Sequence, residues 1–223
     1  MSDPARGGAP TPVLRGTGAV LQRIGAQLTR RYTGTFDAAT VAGHVEDSFR
    51  LLSERGVSIA RHLPLLASRF AAERLDALAR QQGRWPRERP QVLFVCAENS
   101  GRSQLAAALL EAVGGASVRV LSAGSSPGCD IDPVALRLLE EVGLDVAGAF
   151  PKPLTPEVVA TSDVVVTLGC GDACPVVPGR RYLSWDMPDL KGLDIESARS
   201  VREGLRARVT ALLRELEDGS PRE

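Results

Sequence analysis

Residues Val92–Ala108 read VLFVCAENSGRSQLAAA, and the fold of the chain follows from this stretch. Val92-Leu93-Phe94-Val95 is a short apolar run typical of a buried β-strand, and the residues from Gln104 to Leu110 are rich in strong helix formers. Cys96 follows the strand directly, and Arg102 stands six residues further on. This order predicts a tight loop whose backbone N–H groups converge beside the positive end of a helix.

A loop of this kind binds a tetrahedral oxyanion, and Cys96 lies at its base. There the same field favours the thiolate, which is a nucleophile at neutral pH. Arg102 can hold two anion oxygens at once, and we expect Ser100 to donate a hydroxyl hydrogen bond to the thiolate. The alternative is a chance Cys–Arg pair around a structural thiol, which the flanking strand, Ser103 and the Ala-rich helix disfavour. The predicted oxyanion-binding residues are Ala97, Glu98, Asn99, Ser100, Gly101, Arg102 and Ser103.

Residues Cys96–Gln104, CAENSGRSQ, resemble the phosphate-binding loop of the low-molecular-weight tyrosine phosphatase superfamily. More narrowly, they resemble the loop of the arsenate reductases built on that fold, because the ending Asn-Ser-x-Arg-Ser-Gln favours the reductases. The resemblance covers about residues 90–216. It implies a phosphatase-like α/β fold and an enzyme that reduces arsenate.

The composition argues against several classes of function. The chain has 223 residues, and its 27 Lys+Arg balance its 27 Asp+Glu, which argues against a general nucleic-acid or membrane-surface binder. The N-terminus lacks an apolar signal-peptide core, and no apolar run approaches the ~18 residues of a membrane span. We therefore expect a cytosolic protein, with a monomer favoured. Four cysteines are too few for a disulfide scaffold in a chain of this length, which favours a redox use.

The chain divides into two units in this interpretation. We predict a disordered tail at 1–12, a three-helix bundle at 13–83, a linker at 84–90, a phosphatase-like domain at 91–218 and a tail at 219–223. The bundle is predicted from amphipathic helices near 18–31, 37–55 and 63–82, with Asp37 as an N-cap. It resembles the three-helix extension found before some actinobacterial arsenate reductases. Docking to a partner, dimerisation and simple stabilisation all remain possible roles for it.

The second unit alternates strands and helices. Further strands are expected near 118–123, 163–168 and 182–183, with helices after Asp132, at Thr155 and from 195 to 216. This alternation predicts an open parallel four-stranded sheet with helices on both faces. Ligands of such sheets bind at the carboxyl ends of the strands. Cys96 and Cys170 each follow a predicted strand, so both should lie at that edge.

Residues 168–174, LGCGDAC, favour a reductase over a phosphatase. A phosphatase needs one thiolate, whereas a reductase must supply two electrons and therefore needs a second thiol that attacks the first. Cys170 and Cys174 are interpreted as a redox pair, and a metal site or two buried structural thiols are the alternatives. Thioredoxin-coupled arsenate reductases carry two such cysteines at a wider spacing. No further His or Cys pair is available beside these cysteines, so neither a metal nor a bound cofactor is expected. The resemblance implies electrons supplied by thioredoxin or by a small thiol such as mycothiol.

Residues 185–192, WDMPDLKG, resemble the acid loop of the family, in which an Asp followed by Pro faces the anion. Aligned from Trp185, that residue is Asp189, although Leu190 replaces the following Pro; Asp186 is the other candidate. The expected relay runs from Cys96 to Cys170 and then to Cys174. A phosphatase that uses Cys96, Arg102 and Asp189 is the second interpretation, and a non-enzymatic anion-sensing or interaction module is the third.

Overall fold

The computed structural model describes residues 16–54, 62–85, 88–144, 148–169 and 174–219. The predicted disordered tail at 1–12, the end of the C-terminal tail and Cys170 lie outside these ranges. None of the helices within them combines the length and the apolar character that a membrane crossing requires.

Three helices come first and are followed by alternating strands and helices. In chain order the described elements are α1 (Thr17–Arg31), α2 (Ala38–Ser53), α3 (Leu63–Gln81), β1 (Gln91–Cys96), α4 (Arg102–Gly114), β2 (Arg119–Gly124), α5 (Pro133–Glu140), α6 (Pro156–Thr161), β3 (Val164–Thr167), β4 (Arg181–Ser184) and α7 (Ile195–Glu217). Asp37 caps α2 as predicted, and Asp132 caps α5, because their carboxylates accept backbone N–H groups of the first turn.

The four strands form one parallel sheet in the order β2-β1-β3-β4. Strand β1 is central, and its last residue, Cys96, is level with Gly124 at the end of β2. Val95 is level with Thr167 at the end of β3. The predicted fold class is therefore confirmed, and the carboxyl ends of β1, β2 and β3 meet at one edge of the sheet.

Alternate residues of β1 point to opposite faces of the sheet, as strand geometry requires. Val92, Phe94 and Cys96 share a buried apolar cluster with residues of α4, α5 and α7. Leu93 and Val95 belong to a second cluster on the other face, which includes Ala77 of α3 and residues of α6. In the described parts of the chain, helices of the sheet unit cover the first face, whereas the second is covered partly by α3.

The three N-terminal helices, α1–α3, form the N-terminal helical unit. Val41 near the start of α2 packs with Leu75 near the end of α3, while Leu52 near the end of α2 packs with Leu63 at the start of α3. Helices α2 and α3 are therefore antiparallel.

Helix α3 also makes polar contacts with the sheet unit. Five of its side chains form ion pairs or hydrogen bonds with described residues of that unit: Arg69, Glu73, Arg74, Asp76 and Arg80. This helix therefore belongs to both units in its packing.

Candidate active site

Cys96 ends β1 as a buried free thiol, 3% exposed. Among the residues that the structure describes, two groups hydrogen-bond with its sulfur: the Ser103 hydroxyl, with Oγ 2.9 Å from Sγ, and the backbone N–H of Asn99, whose N is 3.2 Å from Sγ. The predicted hydrogen bond from Ser100 is wrong, because the Ser100 hydroxyl donates to Glu98 instead. Ser103 lies in the first turn of α4, where side chains lean toward the helix N-terminus and so toward the thiol.

Asn99 holds the loop from behind. It is fully buried and has a φ of 51°, in the left-handed region, where an Asn is tolerated better than most residues. Its side-chain oxygen accepts the backbone N–H of Lys152 (2.8 Å) and the Gln104 amide (3.1 Å), while its side-chain N–H₂ donates to Ser103 Oγ (2.8 Å). The side chain thus fixes both the loop backbone and the hydroxyl that contacts Cys96.

Gly124, at the end of β2, lets the loop lie close to the sheet. A Cβ at this position would be 2.8 Å from the Ala97 carbonyl oxygen and 2.9 Å from the Asn99 nitrogen, both of which are backbone atoms. Any larger residue would push the loop away from its strand. A glycine is therefore required here by the close approach of two backbones.

A small cavity of about 40 Å³ opens above the thiol. Five of the predicted oxyanion-binding residues line it, whereas Asn99 and Ser103 lie behind the loop at 0% exposure. The cavity carries one guanidinium, one ammonium and three carboxyl groups. Its lining consists of Cys96, Ala97, Glu98, Ser100, Gly101, Arg102, Asp132, Asp189 and Lys191.

The segment that follows β4 brings an acidic residue to Arg102. Trp185 packs against Phe94 with ring centroids 5.7 Å apart, and Leu190 is buried, so both ends of this segment are anchored. Arg102 donates to the Met187 carbonyl (3.2 Å) and to the Asp189 carboxylate (2.7 Å). Asp186 is exposed and is not part of the cavity lining, whereas Asp189 lines it.

Lys191 and Glu98 form an ion pair at the cavity mouth, with Nζ 2.6 Å from Oε1. The hydrogen bond with Glu98 raises the pKa of Lys191 above its usual value. Both side chains are about half exposed, so the pair lies in a medium of high dielectric constant and can exchange partners at little cost.

The second cysteine segment begins beside Arg102. Gly169, with a φ of 70°, packs so closely that a Cβ there would be 2.6 Å from Nη1 of Arg102. Cys170 comes directly after this glycine and lies outside the described residues. Cys174 is buried in the apolar cluster on the α3 and α6 face of the sheet, whereas Cys96 belongs to the opposite cluster.

Sequence reasoning did not identify three residues that shape the site: Asp132, Lys152 and Lys191. Asp132 was predicted only as a helix cap, and Lys191 only as part of the acid-loop string. Lys152 gave a weaker signal, a lone lysine between Pro151 and Pro153 in the sequence. Its contact with Asn99 joins residues 53 positions apart, so no local pattern could have revealed it.

Comparison with known proteins extends the resemblance over both units. Residues 91–221 match the profile of the low molecular weight phosphotyrosine protein phosphatases, and residues 21–79 match that of a protein-tyrosine-phosphatase-like N-terminal domain. The chain is 42% identical to a thioredoxin-dependent arsenate reductase from Corynebacterium glutamicum, with a TM-score of 0.82 over 91% of this chain and 98% of that one.

Two further relatives match the sheet unit. The glutaredoxin arsenate reductase of Synechocystis is 34% identical over 125 residues, which cover 55% of this chain and 95% of that protein. The YwlE arginine phosphatase from Geobacillus stearothermophilus is 26% identical, with a TM-score of 0.51 over 58% of this chain and 94% of that one. The extent of the matched region, together with the loop built on Cys96 and Arg102, makes this chain a member of the low molecular weight phosphotyrosine protein phosphatase family.

Proposed function

We propose that the protein is an arsenate reductase that converts arsenate to arsenite with thiol electrons. The observation that carries this proposal is the close packing of Gly169 on Arg102, which puts the residue before Cys170 against the group that would hold the oxyanion. Hydrolysis requires one thiol, whereas reduction requires a second thiol close to the first. The similarity to a thioredoxin-dependent reductase across both units supports the same conclusion.

In the first step the loop N–H groups and Arg102 bind arsenate, and the Cys96 thiolate attacks arsenic. The Ser103 hydroxyl and the Asn99 N–H support this assignment, because hydrogen bonds donated to sulfur favour the thiolate. Arsenate takes the place of Asp189 on Arg102, and the released Asp189 carboxylate takes up a proton from solvent. Asp189 then donates this proton to the departing oxygen, which leaves as water. Its contact with Arg102 puts it within reach of an oxygen bound there.

In the second step Cys170 attacks Cys96 at sulfur. The S–S bond forms as the S–As bond breaks, and the electron pair of the S–As bond stays on arsenic, which leaves as arsenite. Cys174 then attacks Cys170, which frees Cys96 and leaves a Cys170–Cys174 disulfide. This exchange requires Cys174 to leave the apolar cluster in which it is buried.

A dithiol of the thioredoxin type closes the cycle by reducing the Cys170–Cys174 disulfide. The C. glutamicum relative is described as thioredoxin-dependent, which favours this donor over mycothiol. No resident cofactor or metal is needed, because the two electrons come from thiols.

Steady-state arsenate reduction by the purified protein tests the proposal. NADPH loss is followed with thioredoxin and thioredoxin reductase for the wild type and for the Cys96→Ser, Cys170→Ser and Cys174→Ser variants. We expect turnover by the wild type and none by the three variants. If the Cys174 variant alone turned over, the relay would end at Cys170. If the protein were active with mycothiol but not with thioredoxin, mycothiol would be the electron donor, and the proposed chemistry at Cys96 would stand.

The second candidate is a phosphatase that uses Cys96, Arg102 and Asp189. The match to the YwlE arginine phosphatase favours it, because that protein shares the fold of the sheet unit. Cleavage of an aryl phosphate that needs Cys96 but neither Cys170 nor Cys174, with arsenate left unreduced, would establish the phosphatase and contradict the reductase.

A further inference from the structure

Lys152 is a buried lysine that the reaction steps above do not use. The residue is 8% exposed, and its ammonium nitrogen lies 2.7 and 2.8 Å from the two carboxylate oxygens of Glu73 in α3. A buried ammonium is costly without a partner, so the position of Lys152 depends on this carboxylate. Glu73 belongs to the N-terminal helical unit, and Lys152 belongs to the sheet unit.

The backbone of Lys152 is held as firmly as its side chain. Its carbonyl accepts the N–H of Gly124 at the end of β2 (2.8 Å), and its own N–H donates to the side-chain oxygen of Asn99 (2.8 Å). The flanking residues Pro151 and Pro153 have no N–H groups and have fixed φ angles. Lys152 therefore supplies the single backbone donor of this three-residue stretch, and that donor contacts the loop.

The contact with Asn99 determines which way the hydrogen bonds run toward the thiol. The Asn99 oxygen faces two donors, Lys152 N–H and the Gln104 amide, so its N–H₂ group must face Ser103. Ser103 Oγ then accepts from Asn99, which leaves its one proton to donate to Cys96 Sγ. Asn99 and Ser103 are fully buried, so water cannot easily replace the hydrogen bond between them.

We propose that the Glu73–Lys152 ion pair is a positioning device through which helix α3 holds the loop and keeps the Ser103 hydroxyl donating to Cys96. Glu73 and Lys152 are positioning residues that act through Asn99 and Ser103. This assigns the N-terminal helical unit a role in catalysis in addition to covering one face of the sheet. The proposal rests on the proposed function in one respect only, the use of Cys96 as the nucleophile.

The test measures the Cys96 thiol directly, so its result is independent of the substrate. Alkylation of Cys96 by iodoacetamide is followed against pH in the full chain, with site-resolved mass spectrometry to separate Cys96 from the other thiols. We expect Glu73→Gln and Lys152→Met each to raise the pH midpoint of alkylation by about one unit. The double variant should shift no further than either single variant, because the pair acts as one unit. Lys152→Arg retains the positive charge, so its alkylation profile against pH should stay close to that of the wild type.

A matched control comes from the same helix. Arg74 of α3 forms an ion pair with Glu157 of α6, a contact between the same two units that does not include the loop. Glu157→Gln should lower the melting temperature and leave the alkylation profile unchanged. If Glu73→Gln behaves as Glu157→Gln does, losing stability with no shift of the midpoint, the pair is only structural and the proposal is wrong. If Glu73→Gln fails to fold, Lys152→Met and Lys152→Arg still decide, because the proposal requires their profiles to differ.

Failure of the proposed function would show separately. If the protein does not reduce arsenate but Glu73→Gln still shifts the pH midpoint of Cys96 alkylation, the positioning role stands and the proposed reaction is wrong. If the protein reduces arsenate but the Glu73 and Lys152 variants leave the alkylation midpoint unchanged, the proposed reaction stands and the positioning role is wrong.

Discussion

The anion-binding loop has a buried side and an open side, and they differ in how they are held. Asn99 and Ser103 on the buried side are fully buried, and a hydrogen bond of 2.8 Å joins their side chains. Asp189, Lys191 and Glu98 on the open side are between 43% and 59% exposed. In the proposed mechanism this difference corresponds to two roles: the buried side would hold the Cys96 nucleophile in place, and the open side would exchange its ion pairs for substrate. Substitutions on the two sides should therefore affect different measurements.

The largest effect is expected on the open side, from Asp189→Asn. Loss of the proposed proton donor should lower kcat for arsenate reduction by about 10²- to 10³-fold. The alkylation rate of Cys96 should stay within about twofold of wild type, because the buried contacts of the thiol remain. Asp186→Asn is the matched control and should retain near-wild-type turnover. The reverse pattern, with Asp186→Asn inactive and Asp189→Asn active, would show that Asp186 is the proton donor and that the assignment of Asp189 is wrong.

Asn99 tests the buried side. Asn99→Gly keeps the left-handed backbone but removes all three side-chain hydrogen bonds, so we expect a loss of about 10²-fold in both turnover and Cys96 alkylation at neutral pH. Asn99→Ala should lose as much activity and, in addition, about 1–2 kcal/mol of unfolding free energy relative to Asn99→Gly, because alanine is strained at this φ. Denaturant unfolding of the two variants measures the difference. Equal stability would show that the backbone is not constrained here.

A smaller effect is expected from Ser103→Ala. The variant removes one hydrogen bond to the Cys96 sulfur and leaves the backbone N–H of Asn99 in place. We expect about a tenfold loss in kcat and an upward shift of the alkylation midpoint. Ser100→Ala is the control, because its hydroxyl contacts Glu98 and not the thiol. Equal losses in the two variants would contradict the distinction between the two hydroxyls.

Lys191→Ala should have the smallest effect of the four. An exposed ion pair contributes little to stability, so the melting temperature should not change measurably. The KM for arsenate should rise by about threefold at low salt, with kcat retained, because one cation at the cavity mouth is lost. A large fall in kcat would show that Lys191 takes part in the chemistry.

The buried and open sides of the loop also differ in how far they could be predicted from the sequence. The strand, the loop, Cys96, Arg102 and the parallel sheet follow from local patterns: an apolar run, a fixed Cys–Arg spacing and alternating periodicities. The open side was also partly predictable, because Asp189 stands in a short string with a recognisable spacing from Trp185. Each of these signals is contained in a few consecutive residues.

The buried side could not be predicted in the same way. Ser100 is the donor predicted from the sequence, whereas Ser103 contacts the sulfur in the structure. The difference depends on where α4 begins and on the fold of the loop. The links from Lys152 to Asn99 and to Glu73 span 53 and 79 positions, so only the tertiary fold brings these residues together. The helical unit was predicted as a separate bundle, and its second role, through α3, also depends on contacts far apart in the sequence.

The most direct test of the central claim is a single turnover without any external reductant. The reduced protein is mixed with excess arsenate, arsenite is quantified, and the disulfide formed is mapped by mass spectrometry. We expect one arsenite per chain with a Cys170–Cys174 disulfide in the wild type, and one arsenite with a Cys96–Cys170 disulfide in Cys174→Ser. Cys96→Ser and Cys170→Ser should give none. A wild type that forms no arsenite and no disulfide, but cleaves an aryl phosphate through Cys96, would contradict the reductase assignment.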